Sequence, residues 1–280
     1  MEKKIALYTF FDDEFFECGF TMLYSFLTTN KWFHGDVYIL ADNGENCRLS
    51  DENFEKIKML YSKTHRYEVD ASTYSEVFNN FPNTTRRFLK ACFYKCEVFK
   101  KDDYDVKMYV DADICFSDSV EELFGDSIEN STGIMCRDCA SSNYTSQEIC
   151  QKTDEDYANM GFMIINMKTI RETDFTDLIN GCQNIKQEGF KNKRSFRGAY
   201  AEQDCLNEFV KGITLFPATI YNASALHVNE SNFKNVKIFH YYGLKPWCQN
   251  LNYFAFYAWY KYHYFAMEKL KELEQNKKGK

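Results

Sequence analysis

Strand and helix alternate from the fifth residue of this chain, and that rhythm restricts its fold more than any other feature. Ile5–Phe10 reads as a strand. Cys18–Asn30 follows with Phe20, Leu23, Tyr24 and Leu27 at helical spacing, and Asp36–Ala41 is a second strand closed by Asp42-Asn43-Gly44. Asp51–Ser62 is predicted as a helix and His65–Val69 as a third strand. Such an order builds a mainly parallel sheet with helices on both faces. Further on, Phe88–Lys101 reads as a helix, Val106–Val110 as a strand, and Ser117–Phe124 as a helix capped by Asp118 or Ser119. Ile134–Arg137 and Phe162–Met167 are predicted strands, the second almost wholly apolar and therefore central. Thr169–Lys186 and Ala201–Lys211 are predicted helices, with Ile213–Phe216 and Val236–Tyr241 as the last strands.

Composition narrows the class. With 280 residues, 45% of them hydrophobic and only three Pro, the chain has enough apolar surface for a full core and is not globally disordered. A net charge of -7 with no concentrated basic patch before the C-terminus excludes a nonspecific nucleic-acid binder. The start lacks the apolar core and cleavage site of a signal peptide, and no run is predicted to span a bilayer. Eleven cysteines, an odd count without framework spacing, are expected to be reduced and buried. Cys136-Arg137-Asp138-Cys139 has no second pair at zinc spacing. The N-x-S/T triplets at Asn83, Asn130, Asn143, Asn222 and Asn229 carry no meaning in the cytoplasmic location these features predict.

Residues 1–250 read as one domain. The segment 251–280 is a helical tail, aromatic from Leu251 to Met267 and then basic. It is expected to cap the core; the alternative is an interfacial anchor on a membrane, a role that Glu268, Glu272 and Glu274 weaken.

The chemistry centres on Asp111-Ala112-Asp113 at the end of the Val106–Val110 strand. Ligands of open α/β sheets bind at such carboxyl ends. Two carboxylates two residues apart invite a hard cation, since Mg²⁺ or Mn²⁺ takes one or two carboxylates together with phosphate oxygens. So short a D-x-D recurs by chance, and alone it reads as an acidic turn. Four further segments join it. Asn159-Met160-Gly161 precedes the buried strand, Glu202-Gln203-Asp204 opens a helix, and Phe93-Tyr94-Lys95 lies one helix before the acids. His240-Tyr241-Tyr242-Gly243-Leu244-Lys245-Pro246-Trp247 adds an imidazole, which suits Mn²⁺ better than Mg²⁺, and a cation.

In this order the set resembles glycosyltransferase family 8, the retaining sugar-nucleotide transferases that include glycogenin and bacterial lipopolysaccharide galactosyl- and glucosyltransferases. The resemblance covers Ile5 to about Trp247. It implies an α/β, A-type glycosyltransferase fold with a Rossmann-like mixed, mainly parallel sheet, a UDP-hexose donor and Mn²⁺ (or Mg²⁺). By position, Asp111, Asp113 and His240 resemble the metal ligands, with Ala112 between the acids, and Gly243 and Lys245 the diphosphate-binding turn. The exit of the first strand, Thr9 to Asp12, resembles the uridine-binding segment. Lys95, Asp138, Asn159 and Gln203 resemble donor-sugar contacts supported by Gly161, which puts Gln203, Glu202 and Asp138 at the reacting end. Two positions depart from the family pattern: Glu202 stands where Asp is usual, and one residue rather than two separates Gly243 from Lys245. The implied acceptor is a hydroxyl of a glycan, glycolipid or protein. A self-glucosylating primer, a non-catalytic nucleotide-sugar module and a nucleotidyltransferase on a similar sheet stand as alternatives.

Overall fold

The computed structural model describes residues 3–42, 46–80, 90–138, 157–184, 201–242, 245–246 and 253–278. Ten strands and five longer helices are labelled here: β1 (Ile5–Phe10), α1 (Phe16–Thr29), β2 (Asp36–Ala41), α2 (Asp51–Leu60), β3 (Thr64–Glu68), β4 (Val106–Val110), β5 (Ile114–Phe116), β6 (Gly133–Arg137), β7 (Ala158–Asn166), α3 (Asp174–Asn184), α4 (Ala201–Phe209), β8 (Ile213–Phe216), β9 (Ala223–Ser224), β10 (Ile238–His240) and α5 (Tyr253–Lys278).

Seven strands form one sheet in the order β3-β2-β1-β4-β7-β6-β8. β3, β2, β1 and β4 run parallel, with Leu7 opposite both Val37 and Met108. The chain leaves β1 for β2 on one side and returns to β4 on the other, so the sheet has its switch point between β1 and β4, where a crevice opens. β7 runs antiparallel to both β4 and β6. It is buried along its whole length, as its apolar sequence requires. Its direction is what makes the sheet mixed, as expected, although which strand would run antiparallel could not be read from hydrophobicity, which marks burial and not polarity. A small second sheet, β5-β10-β9, pairs His240 with Ile114 antiparallel and with Ser224 parallel. The chain therefore passes from the large sheet to the small one through the three residues Asp111, Ala112 and Asp113.

Period-two alternation divides β1 between two cores. Ala6, Tyr8 and Phe10 face one cluster, and Leu7 and Phe11 the other, which α1 covers. Thr9 shares the phase of Leu7. It is fully buried and its hydroxyl has no hydrogen-bond partner.

Two predicted helices are tighter than expected. Within Phe88–Lys101, of which residues 88 and 89 lie outside the described part, Cys92–Phe99 is a 3₁₀ helix with every residue buried. A segment enclosed on all sides has no solvent face to enforce a 3.6-residue period, and its polar groups are used in three directions: Tyr94 toward Asp42, Lys95 toward Asp111, and Glu97 toward Tyr67 and Tyr74. Ser117–Phe124 shrinks to a 3₁₀ turn over Glu121–Phe124, whose first N–H is accepted by the Ser119 hydroxyl. At the other end of the chain α5 packs on α1 and α2, burying Ala255, Ala258, Trp259, Tyr262 and Ala266. Its other face leaves Tyr253, Phe256, Tyr257, Tyr260, Tyr264 and Phe265 exposed. Among the described residues no helix is long and apolar enough to cross a membrane.

Candidate active site

A cleft of about 220 Å³ opens at the β1/β4 switch point. Phe10, Phe11, Phe15 and Asp12 from the exit of β1, with Asn46 and Cys47 after β2, line one end. Asp12 is spent partly on local structure, since its Oδ1 accepts the Phe15 N–H at 3.0 Å. Thr9, expected in this wall, is fully buried and does not line the cleft. Gly243 lies outside the described residues.

The other end is built where the two sheets meet. Asp111 is tied to β7 by its N–H to Gly161 O at 2.8 Å, and the Tyr241 N–H reaches Asp113 O at 2.9 Å. This pairing brings His240 Nε2 to 3.3 Å from Asp113 Oδ1 and 3.8 Å from Asp111 Oδ2. Ligand atoms of Asp111, Asp113 and His240 all lie within 4.8 Å of one another. The side chains of Lys245 and Asp113 form a close ion pair. Burial would raise the Asp113 carboxyl, but its contacts with His240 and Lys245 outweigh it and hold Asp113 well below the usual carboxylate range. Burial would likewise depress the Lys245 ammonium, and Asp113 keeps it above its ordinary value instead.

Gly161 is the floor of this cluster. A Cβ there would stand 2.2 Å from His240 Cε1 and 2.7 Å from Asp111 Oδ2. Two carboxylates and an imidazole nitrogen converging over a position kept free of a side chain suit a divalent cation such as Mn²⁺ or Mg²⁺.

Lys95 crosses the middle of the cleft, 3.5 Å from Asp111 Oδ1 and 3.6 Å from Glu202 Oε1, and donates to Met160 O at 3.4 Å. Burial disfavours its charge, but Asp111 and Glu202 hold its pKa above the ordinary lysine value, so it is a cation across the working pH range. At Glu202 burial wins over the attraction of Lys95, and the carboxyl takes up a proton more readily than an exposed glutamate. Gln203 Oε1 accepts the Met160 N–H at 3.2 Å, which fixes its amide with Nε2 toward Asp138 Oδ2 at 3.3 Å. Asp138 is buried behind Gln203 and Asn159 rather than on the cleft wall. Asn159 reaches the wall, yet its Oδ1 is already shared by the Gly161 N–H and the Asn222 Nδ2.

Sequence reasoning missed Tyr109, Tyr242 and Asn222. The Tyr109 hydroxyl donates to Asp111 Oδ1 at 2.6 Å, and the Tyr242 ring stands edge-on to His240 at 4.6 Å. Tyr109 is one of the alternating residues of the strand before the acids, and the turn of the ladder that aims its hydroxyl forward has no signature in sequence. Asn222 was visible only as the head of an N-A-S triplet. The Cys136 partner in the C-x-x-C pair, Cys139, lies outside the described residues, and Asp111, Asp113 and His240 form the one metal-suited cluster among those described.

Residues 7–250 match the sequence profile of glycosyl transferase family 8. The chain belongs to that family. No curated protein matches it. Among solved structures, this family 8 chain resembles the galactosyltransferase LgtC in complex with donor and acceptor sugar analogs, with 16% identity, a TM-score of 0.64 and coverage of 97% of this chain and 95% of that one. It also resembles the glycosyltransferase GlyE of Streptococcus pneumoniae TIGR4, at 17% identity and a TM-score of 0.57, spanning 99% of this chain and 64% of GlyE. The bifunctional glycosyltransferase WbbM matches at 15% identity and a TM-score of 0.59, where this chain covers 52% of the longer protein. At such identities the likeness carries the fold: the seven-stranded mixed, mainly parallel sheet with its C-terminal helix is the A-type glycosyltransferase fold.

Proposed function

We propose that this family 8 protein is a retaining hexosyltransferase that moves glucose or galactose from a UDP-sugar to a hydroxyl of a glycan or glycolipid such as lipopolysaccharide. The observation that carries this reading is the convergence of Asp111, Asp113, His240 and Lys245 at one end of a cleft whose middle is crossed by Lys95, Glu202 and Gln203. The aromatic end near Asp12 suits a uridine, and the triad end suits its diphosphate.

Asp111, Asp113 and His240 would hold Mn²⁺ or Mg²⁺, which supplies Lewis-acid stabilisation of the charge that builds on UDP as it leaves. Lys245, beside Asp113, adds a cation for the same phosphate oxygens. Lys95, Gln203 and Asn159, with Asp138 behind the two amides, orient the sugar ring. The acceptor oxygen then bonds to the anomeric carbon on the face from which the phosphate oxygen departs, and its proton passes to that oxygen. Glu202 is a poor nucleophile for a double displacement, since burial favours its neutral form despite the nearby Lys95 ammonium at 3.6 Å. A glycosyl adduct trapped on Glu202 would replace front-face attack with a covalent route.

UDP release from a panel of UDP-hexoses, with Mn²⁺ and then with EDTA, is the decisive assay. One donor should yield UDP only with metal present. Neither release nor metal-dependent donor binding across the panel would rule out the transferase reading.

The exposed aromatic face of α5 supports peripheral contact with an anionic membrane surface from the cytoplasmic side. Residues 269–280 carry five lysines against two glutamates, so rings at headgroup depth would be followed by attracted positive charge. The protein should sediment with vesicles containing anionic lipid and stay in solution when Tyr257, Tyr260 and Tyr264 are replaced together by Ser. Equal partition of the two forms would refute the contact.

A further inference from the structure

Asn222 touches neither a sugar nor a phosphate position. It does not line the cleft, is 1% exposed, and sits between the single helical turn Ala218–Tyr221 and β9, the strand beside β10. Its surroundings nevertheless fix a chemical identity two bonds away. The Gly161 backbone N–H can only donate, and it points to Asn159 Oδ1 at 3.0 Å. That oxygen is therefore an acceptor, and the Asn222 atom 3.0 Å from it must be the Nδ2 donor. The opposite end of the same amide, Asn222 Oδ1, then faces His240 Nδ1 at 2.8 Å and can only accept. Nδ1 must carry the hydrogen. Turning either amide over would set two oxygens, or two donors, against each other.

We propose that Asn222 is the positioning residue of the metal centre: it holds His240 as the Nδ1–H form and aims Nε2, the nitrogen facing Asp111 and Asp113, at the cation. The inference rests on the metal-binding reading given above. The Asn159 oxygen is committed to this relay, which leaves its amide nitrogen for the sugar side of the cleft. A buried asparagine that merely satisfies the end of a small sheet makes a different prediction, because it affects folding without choosing among metals.

The test is titration of the full-length wild type, Asn222→Ala and Asn222→Asp with Mn²⁺ and with Mg²⁺, read calorimetrically in the presence of UDP, with thermal unfolding as the control for fold. Asn222→Ala removes the acceptor for Nδ1–H and should weaken Mn²⁺ binding by roughly ten- to hundredfold. The loss should be smaller for Mg²⁺, which gains less from an imidazole ligand. Asn222→Asp retains an oxygen for Nδ1–H and should keep most of the affinity and the Mn²⁺ preference. Unchanged Mn²⁺ binding in Asn222→Ala would overturn the proposal alone, as would equal losses for both metals or equal losses in both variants. Absence of Mn²⁺ binding in the wild type would instead remove the metal reading and this inference with it. Should Asn222→Ala fail to fold, Asn222→Ser, too short to reach the ring, is read by the same criteria.

Discussion

Gly161→Ala is expected to lower divalent-cation affinity by roughly a hundredfold or more while leaving the sheet intact. The glycine is not there for a left-handed backbone: among the described residues Gly212 is the one glycine with positive φ, and Gly161 lies in β7 at the bulge opposite Met135 and Cys136. It is there for space. An added Cβ would overlap His240 Cε1 at 2.2 Å and press on Asp111 Oδ2 at 2.7 Å, and both groups belong to the triad. On the β4 side Gly161 is held in place, since its carbonyl accepts the Asp111 N–H and the next residue, Phe162, pairs with Val110. The His240 ring cannot rotate away without leaving Asn222. The strain therefore appears as separation of the ligands, with an overpacking cost of about 1–3 kcal/mol in stability. Mn²⁺ titration together with thermal unfolding separates the two effects. A folded Gly161→Ala with wild-type affinity would mean that the cation, if bound at all, lies elsewhere.

Asp113→Asn should produce the largest loss of turnover, on the order of 10²–10³-fold or more in UDP release at saturating donor. The substitution keeps shape and removes charge. Asp113 stands 3.3 Å from His240 Nε2 and is ion-paired with Lys245, so in the proposed mechanism its carboxylate would both supply a ligand and place the lysine toward the departing phosphate. Asp111 is secured separately, by Tyr109 and Lys95, and should remain where it is in the variant. Residual Mn²⁺ binding with lost turnover is the expected signature. Turnover within tenfold of the wild type would show that the acidic pair is not where the phosphate charge is stabilised.

The sequence was most legible where one physical constraint acts alone. Strand positions followed from alternation and burial, and β7 could be placed centrally because Phe162–Met167 is almost wholly apolar, although the strand begins earlier, at Ala158, and takes in Asn159, Met160 and Gly161. Its antiparallel direction was invisible, since a buried strand looks the same read from either end. The ordered motifs brought Asp12, Lys95, Asp111, Asp113, Asn159, Glu202, Gln203, His240 and Lys245 to one cleft. Thr9 lies within β1 and is fully buried, whereas the cleft wall begins one residue later at the exit of the strand. Asn222 failed for a different reason. Its contact is to another side chain, through a hydrogen bond that only tertiary structure creates, and its triplet, set aside as meaningless, gave no sign of the buried amide found there.

The seam between the two sheets has a mechanical consequence. Asp113 and Lys245 lie 132 positions apart in the chain, and the small sheet that carries His240 is only three strands wide. A cation held across that seam would act as a reversible staple between an early and a late part of the polypeptide. Binding of that cation would therefore protect the pairing of β10 with β5 against local opening, and its removal would leave that seam easier to open.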